Sequence, residues 1–202
     1  MDIGIGLPAA IPGTKADDIL EWARRADAGP FSSLNIIDRL VYSNYDPLIT
    51  LAVVAGVTRR IRLMPSVLLA PFRSAAILAA EVASLDALSG GRVTLGLGVG
   101  GREDDFRAAG ASFQDRGRRF EEQLETMKRI WSGQPVAADI GPIGPPPAQE
   151  GGPPILIGGL SPAAVRRVGR WGDGYFGTGA DPATARQFYD IADAAWREAG
   201  RP

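Results

Sequence analysis

The sequence predicts an α/β fold built on parallel strands, because two patterns agree along the whole chain. Short runs rich in Val, Ile and Leu alternate six times with longer amphipathic stretches over the 202 residues. This strict alternation is typical of strand–helix units whose strands lie side by side in parallel. The short runs are continuously apolar, as in strands that helices cover on both faces. With 45% hydrophobic residues, residues 1–202 are expected to form a single domain with a full core.

The first two units lie before residue 60. Residues 2–7 (DIGIGL) form the first predicted strand, and KADDILEWARRADA forms the helix after it, with apolar residues at helical spacing until Gly29 ends it. Residues 33–38 (SLNIID) form the second strand. Asp46 then suits the N-cap, and Pro47 the first position, of a helix over LITLAVVAGV.

The third and fourth units continue the pattern. Residues 61–71 (IRLMPSVLLAP) are predicted as one strand with Pro65 near its middle. Gly90 and Gly91 close the helix that follows, AAILAAEVASLDALS. RVTLGLGVG is the fourth predicted strand, and FEEQLETMKRIW is its helix.

The fifth and sixth units are PILIGG with SPAAVRRVGRWG, and DGYFGTG with DPATARQFYDIADAAWREAG. Residues 134–154, which precede them, are dense in Pro and Gly. This stretch is either an excursion between the fourth helix and the fifth strand or a flexible linker between two domains. Because the strand–helix pattern continues after it, the excursion is favoured.

The absence of His and Cys restricts the chemistry of any site. Disulfides, thiolate catalysis, His-based triads and zinc sites with His or Cys ligands are excluded, and no metal is expected. Acid–base steps must use carboxylates, Tyr, Lys or water. An enzyme with this inventory is expected to borrow its chemistry from a cofactor.

Charge and hydropathy indicate the expected surroundings of the chain. A formal net charge of −1 gives no basic excess to neutralise phosphates, so nucleic acid is not an expected partner. No run of about 18 apolar residues suits a membrane span, so no membrane partner is expected. The start, MDIGIGLPAA, lacks a basic segment followed by a long apolar one, which predicts a cytoplasmic protein without a secretory signal.

A glycine loop follows the fourth strand. Gly96, Gly98 and Gly101 match the dinucleotide-binding spacing G-x-G-x-x-G, which requires a helix directly after the loop and an acid at the next strand end. REDDFRAAGASFQDRG is interpreted as a broken, charged segment and not as a helix start. About twenty residues on lies the helix FEEQLETMKRIW, and no strand end there carries an acid. The loop is therefore interpreted as a strand end where Gly lets another backbone or a flat ligand approach closely.

Residues at the predicted strand ends suit a ligand site, because ligands of parallel sheets bind at the C-terminal ends of strands. The second strand ends in Asp38 and Arg39, the third in Ser66 and Val67, and the fourth in Gly98 to Arg102. The fifth ends in Gly158 to Ser161, before Pro162. Those last residues form an anion cradle or an ordinary strand–turn–helix connection with a Ser cap, and the local sequence leaves both open.

Five stretches form an ordered set over nearly the whole chain: LNIIDRL, RIRLMPSVLLAPFR, EVASLDALSGGRVTLGLGVGGREDDFRAAG, RGRRFEEQLETMKRIW and PPILIGGLSPAAVRRVGRWGDGYF. Each is weak alone, but the set resembles the bacterial-luciferase-like flavin monooxygenase family. The resemblance implies a TIM-type (β/α)₈ barrel that binds reduced FMN or a deazaflavin at the strand C-terminal ends. It also implies that the glycine loop ends the fourth barrel strand and faces a flavin.

The resemblance further implies which residues form the site. Ser66 and Val67 match a bulge behind the isoalloxazine ring that often contains a non-proline cis peptide. Two later segments match those that hold the ribityl chain and phosphate. Their candidate residues are Gly98, Gly100, Gly101, Arg102, Glu103, Gly158, Gly159, Leu160 and Ser161. Asp38 matches the acid at the end of the second strand, and Asp38, Arg39 and Tyr42 are the candidate catalytic residues.

Two features depart from the family pattern. Arg39 stands where the family often has His, so a His-assisted proton step is in doubt, and Arg39 contacts an anionic reduced ring, an acidic substrate or only solvent. Eight units need about 200 residues at minimum and about 250 typically. With six units, the chain is expected to be a barrel that lacks its last two, with unpaired edges on the first and sixth strands that favour self-association.

Three functions follow as hypotheses. The first is a monooxygenase that uses reduced FMN and O₂ on a small organic substrate, with a flavin reductase as a partner. The second is a deazaflavin-dependent dehydrogenase or reductase that transfers hydride. The third is a non-catalytic barrel remnant or subunit. A homo-oligomer is expected, because the family favours dimers.

Overall fold

The structure, a computed structural model, describes residues 2–177, 179 and 181–201. It contains the six predicted strand–helix units, and their strands are parallel. The elements in chain order are β1 (Gly4–Gly6), α1 (Ala16–Ala28), β2 (Ser33–Ile36), α2 (Pro47–Val57), β3 (Arg62–Pro65), β4 (Leu68–Leu69), a 3₁₀ helix (Ala70–Phe72), α3 (Ala75–Ser89), β5 (Leu95–Gly98), α4 (Glu103–Ala108), α5 (Arg116–Trp131), β6 (Ile155–Gly158), α6 (Pro162–Val165), α7 (Arg167–Trp171), β7 (Gly174–Phe176) and α8 (Pro182–Glu198).

The strands form two parallel sheets in chain order, β1-β2-β3 and β4-β5-β6-β7. β3 continues into β4 through Ser66 and Val67, and the peptide bond between these two residues is cis, as the family resemblance implied. Leu63 of β3 also bridges to Val93, just before β5. Because all strands are parallel, their C-terminal ends lie at one edge of the structure, which is where ligands bind in such folds.

The prediction of one continuous third strand was wrong. Pro65 pairs with Ile36 of β2, whereas Leu68 pairs with Leu97 of β5, so the two halves belong to different sheets. Proline has no backbone N–H to donate to a ladder, and Pro65 ends β3. The chain changes its sheet partner over the two residues that follow.

Two helix predictions also need correction. In the segment REDDFRAAGASFQDRG, which was expected to be broken and not to start a helix, residues 103–108 form α4 directly after the glycine loop. Its first turn contains three carboxylates, which stabilise the positive end of a helix. The predicted helix SPAAVRRVGRWG is divided into α6 and α7. In the predicted strand DGYFGTG, Thr178 lies outside the described residues.

Three predicted helix ends are confirmed. The Asp46 carboxylate accepts the backbone N–H groups of Leu48 at 2.9 Å and Ile49 at 3.0 Å, at the start of α2. Gly90 ends α3 with a φ of 70°, in the left-handed region that favours glycine. The Ser161 hydroxyl accepts the N–H of Ala164 at 3.3 Å, at the start of α6. Local capping chemistry therefore fixes these boundaries.

The helices cover the strands unevenly. All four residues of β5 are buried, whereas β1 and β7 are only partly covered. Among the described residues, β1 pairs with β2 alone and β7 with β6 alone. The expectation of strands covered on both faces therefore holds for β5 and not for the two edge strands. Within the described ranges, none of the helices combines the length and the apolar character needed to cross a bilayer.

The Pro/Gly-rich stretch at residues 134–154 packs on α3. Asp86 of α3 is fully buried, and its carboxylate accepts the backbone N–H of Gln149 at 2.9 Å and the side-chain amide of Gln149 at 2.7 Å. Gln149 also donates to the carbonyl of Val93 at 2.9 Å. Val136 and Ile143 pack against the same hydrophobic core as the strands. These contacts connect the stretch to α3, to Val93 before β5 and to the hydrophobic core.

We expect Asp86→Ala to lower the free energy of unfolding by about 2 kcal/mol, because two half-buried donors of Gln149 lose the carboxylate that accepts them. Urea denaturation measures the loss, and limited proteolysis should show faster cleavage within residues 134–154. Asp139→Ala is the control, since Asp139 is an exposed carboxylate in the same stretch. Equal stability of the two variants would contradict the anchoring role.

Candidate functional site

A cavity of about 390 Å³ lies at the C-terminal ends of β4, β5, β6 and β7. Its volume is within the usual range for small-molecule sites, roughly 300–1,000 Å³. Three predicted strand-end segments converge there from distant parts of the chain. The lining residues are Ser66, Val67, Leu69, Gly98, Val99, Gly100, Gly101, Gly158, Gly159, Leu160, Ser161, Ala164 and Phe176.

The floor of the cavity depends on one valine and two glycines. Gly98 and Gly158 are paired in the parallel register of β5 and β6. A Cβ atom built on Gly98 lies 2.8 Å from Val67 Cγ2, and one built on Gly158 lies 2.7 Å from Val67 Cγ1. Both distances are too short for real carbon contacts. The Val67 side chain therefore occupies the space that side chains on these two strands would need.

The other glycines of the loop have different roles. A Cβ atom on Gly96 would meet the Pro65 carbonyl, so this glycine allows β3 and β5 to approach closely. Gly100 has a φ of 76°, and a Cβ atom there would lie 3.2 Å from Phe106. Gly101 has no neighbouring heavy atom within 4 Å of its Cβ position. The match to a dinucleotide motif thus arises mainly from the packing of strands.

The segment from Gly158 to Ser161 forms the opposite wall. Gly159 packs against Ala164, whose Cβ atom leaves no room for a side chain on the glycine. The Gly159 carbonyl accepts the Tyr175 hydroxyl at 2.9 Å, and Ser161 caps α6. Leu160 is 63% exposed, so an apolar side chain faces solvent at the mouth of the cavity.

Asp38 is not part of the cavity lining, but it contacts the lining residue Leu69. Its side chain is 2% exposed and accepts the backbone N–H of Leu69 at 2.8 Å and the Arg73 guanidinium at 3.1 Å. Burial raises the pKa of the Asp38 carboxyl above its ordinary value, and Arg73 and the Leu69 N–H offset only part of this effect. Because Leu69 itself lines the cavity, Asp38 connects the end of β2 to the cavity wall.

Arg39 and Tyr42 also lie outside the cavity lining. The Arg39 guanidinium donates to Asp105 at 2.8 Å and lies 5.8 Å from the centre of the Tyr42 ring. Its side chain is 23% exposed. Arg39 therefore binds a carboxylate of its own chain, an outcome that differs from the three alternatives the sequence left open.

Two predicted cofactor contacts lie beside the cavity. The Arg102 guanidinium pairs with Asp104 at 2.8 Å and is 59% exposed, and Glu103 begins α4. Three lining residues lie outside the strand-end segments that the sequence indicated: Leu69, Ala164 and Phe176. They are single apolar residues in apolar runs, which carry no local signal of a site. No charged side chain lines the cavity within the described residues, and these residues contain no cluster of carboxylates suited to a metal.

Comparisons with known proteins agree with this fold. A family model described as luciferase-like monooxygenase matches residues 1–202. The crystal structure of the monooxygenase RslO1 from Streptomyces bottropensis matches with a TM-score of 0.87 at 26% identity, covering 100% of this chain and 68% of that one. The parallel α/β fold expected from the resemblance is therefore confirmed.

Two curated relatives match in sequence. An uncharacterized protein of Mycobacterium tuberculosis (strain ATCC 25618 / H37Rv) is 32% identical over 187 residues, covering 79% of this chain and 65% of its own length. F420-dependent glucose-6-phosphate dehydrogenase of Nocardia farcinica is 30% identical over 201 residues, covering 93% of this chain and 55% of its own length. The chain thus spans less than two thirds of the length of these relatives.

We expect Gly158→Ala to destabilise the protein by about 1–3 kcal/mol, because the added methyl group displaces Val67 from the cavity floor. Thermal and urea denaturation measure the change. Gly101→Ala is the matched control, since its Cβ position is open, and its stability should stay close to that of the wild type. If both variants unfold at the same urea concentration as the wild type, the cavity floor does not depend on Val67.

Proposed function

The chain belongs to the luciferase-like monooxygenase family, and from this premise we propose that it is a flavin-dependent monooxygenase that holds reduced FMN in the cavity. The monooxygenase and the dehydrogenase that are similar to this chain are both oxidoreductases. The observation that carries the proposal is the convergence of three glycine-rich or small-residue segments on one uncharged cavity at the strand C-terminal ends.

The residues present fit a flat conjugated ring with a phosphate-bearing chain. Apolar side chains of Val67, Leu69, Val99 and Phe176 supply walls for such a ring. The glycines at the two strand ends leave backbone at the surface of the cavity, where N–H groups can bind polar ring edges or phosphate oxygens. The fit thus rests on shape and backbone, in a chain without His or Cys.

Each wall has a proposed part in binding. Ser66 and Val67 support the ring from behind, and the segment from Gly98 to Gly101 lies along the ribityl chain, with Arg102 and Glu103 beside it. The segment from Gly158 to Ser161 receives the phosphate. When bound, reduced flavin supplies electrons to O₂. The apolar walls of this chain then exclude water from the reacting atoms.

The candidate catalytic residues Asp38, Arg39 and Tyr42 lie in the loop after β2. Asp38 and Arg39 are both engaged by partners of their own chain, so we assign them to holding the loop after β2. Tyr42 is 56% exposed, and we propose that its hydroxyl group meets the small organic substrate. A separate flavin reductase is the proposed source of the reduced cofactor.

A second candidate function is a deazaflavin-dependent dehydrogenase. The Nocardia farcinica relative is named as F420-dependent and covers 93% of this chain. In that case the same cavity holds a deazaflavin, which supplies hydride. The uncharged walls suit either ring, so a comparison of the affinities for FMN and F420 is needed to identify the cofactor.

Anaerobic titration of the purified chain with photoreduced FMN and with F420 tests the proposal, with ligand fluorescence as the readout. We expect binding of FMN in the micromolar range or tighter, and oxygen-dependent turnover when a flavin reductase and NADH are added. Preference for F420 would support the second function instead. Absence of binding to both ligands would leave the chain as a non-catalytic remnant or subunit.

Gly101→Trp should weaken binding of the preferred cofactor at least tenfold, because the indole grows from an open position at the cavity. Gly141→Trp is the matched control: its Cβ position is also open, and it lies in the Pro/Gly-rich stretch outside the cavity lining. If the two variants bind the cofactor with equal affinity, the cofactor does not bind in this cavity.

We also propose that the chain forms a homo-oligomer through the outer faces of α2 and α3. The outward side of α2 is apolar, and that of α3 is apolar except for the exposed Glu81 and the half-buried Ser84. Ile49 and Val53 of α2 are 69% and 53% exposed, and Ile77 and Leu88 of α3 are 61% and 81% exposed. α2 contains no charged residue, and depletion of charge is typical of the centre of an interface. A second copy of the chain supplies an identical apolar face.

Leu88→Glu should shift the chain from oligomer to monomer in sedimentation analysis, because it places a charge on this face, where Leu88 is 81% exposed. Ile11→Glu is the control, since Ile11 is 61% exposed in the loop after β1. If the wild type sediments as a monomer, or if Leu88→Glu has no effect, this interface is wrong.

A further inference from the structure

Asp105 joins two segments that lie far apart in the sequence. Its side chain is 1% exposed, in the first turn of α4. One carboxylate oxygen accepts the backbone N–H of Leu40 at 3.0 Å and of Val41 at 2.7 Å. The other accepts the Arg39 guanidinium at 2.8 Å. One buried carboxylate thus satisfies three donors of the loop after β2.

α4 is itself fixed to the glycine loop. Phe106, the residue after Asp105, is fully buried, and its ring is the neighbour that a Cβ atom on Gly100 would approach at 3.2 Å. The Phe106 ring also packs edge-on against Phe72 and Phe113, with ring centres 5.6 Å and 5.2 Å away. Since Gly100 lines the cavity, the Phe106 ring connects the glycine loop to α4, the helix that carries Asp105.

The loop held by Asp105 presents an apolar surface. Leu40 is 48% exposed, Val41 44% and Tyr42 56%. These residues lie outside helices and strands. The Arg39 side chain, the charge nearest to them in sequence, is paired with Asp105. The loop therefore offers apolar side chains and one phenol, with no unpaired positive charge among residues 39–42.

We propose that Asp105 is a positioning residue that couples the cofactor cavity to residues 39–42, which form the wall met by an uncharged, apolar substrate. This inference rests on the proposed function for the cavity. Cofactor bound against the glycine loop restrains α4, and Asp105 then holds the backbone of Leu40 and Val41 in place. The pairing of Arg39 with Asp105 removes the cation that an anionic substrate would need.

Hydrogen exchange of the Leu40 and Val41 amides, measured in the full chain, tests whether Asp105 fixes these two residues. In the ligand-free protein, Asp105→Asn should raise exchange at these two amides at least tenfold, since an amide accepts hydrogen bonds less strongly than a carboxylate. Asp104→Asn is the matched control: Asp104 is 36% exposed and lies 3.7 Å from the same Arg39 guanidinium, whereas the N–H groups of Leu40 and Val41 donate to Asp105. Exchange at these two amides should therefore stay within about twofold of wild type in Asp104→Asn. Unchanged exchange in Asp105→Asn would overturn the proposal.

Addition of FMN, or of F420 if that is the ligand bound, tests the coupling. In the wild type, exchange at Leu40 and Val41 should slow at least threefold when the cavity is filled, and Asp105→Asn should lose this effect. Because coupling is reciprocal, cofactor affinity should fall by a similar factor in that variant. Slowing that persists in Asp105→Asn, or its absence in the wild type, would contradict the coupling.

A double variant separates positioning from loss of folding. Arg39→Gln with Asp105→Asn replaces the ion pair by two amides and should recover part of the protection lost in Asp105→Asn alone. No recovery, together with general loss of protection in α3 and β5, means that Asp105 only maintains the core. If the wild type binds neither cofactor, the proposed function fails, and the ligand-free comparison still decides whether Asp105 holds the loop.

Discussion

The seating of Val67 over Gly98 and Gly158 is the contact on which the cavity depends. Two parallel strands place glycines side by side in register, and the absence of their side chains makes room for one valine from the third unit. The methyl groups of Val67 then form a floor that is apolar and closely packed, as interiors are. The opening of the third strand into β3 and β4 follows from the same arrangement, because Val67 stands at the break between them.

Two buried carboxylates hold the loops around that floor. Asp38 binds the backbone of Leu69 and the Arg73 guanidinium, and Asp105 binds the backbone of Leu40 and Val41. Burial raises the pKa of Asp38, which is the expected consequence of removing a carboxyl group from water. Each acid is stabilised by backbone N–H groups and one arginine, so the charge is used to fix the chain. Polar chemistry at the site thus falls to the backbone, to a few hydroxyl groups and to a bound cofactor.

The absence of His and Cys agrees with a site in which the chain binds and orients and a cofactor carries out the reaction. In the proposed function, the chain supplies an uncharged cavity, apolar walls and a loop of defined position, and a flavin or deazaflavin supplies the redox chemistry. The proposal leaves both cofactors open, and the proteins similar to this chain include a monooxygenase and an F420-dependent dehydrogenase. The difference between the two reactions lies in the cofactor more than in the fold that holds it.

The sequence by itself determined the six parallel strand–helix units, the helix ends at Asp46, Gly90 and Ser161, and the strand-end glycines that line the cavity. These features depend on local chemistry: hydrophobic periodicity, capping and backbone freedom act within a few residues. Only the tertiary structure decided that α4 forms and that the third strand breaks between two sheets.

Tertiary structure alone also decided the partners of the acids, since Asp38 meets Leu69 across 31 positions and Asp105 meets Leu40 across 65. The sequence placed Asp38 and Arg39 among the catalytic candidates, whereas the structure shows both of them engaged within the chain. Such pairs form because parallel strands bring their C-terminal ends to one edge, and no local pattern records which loops then touch.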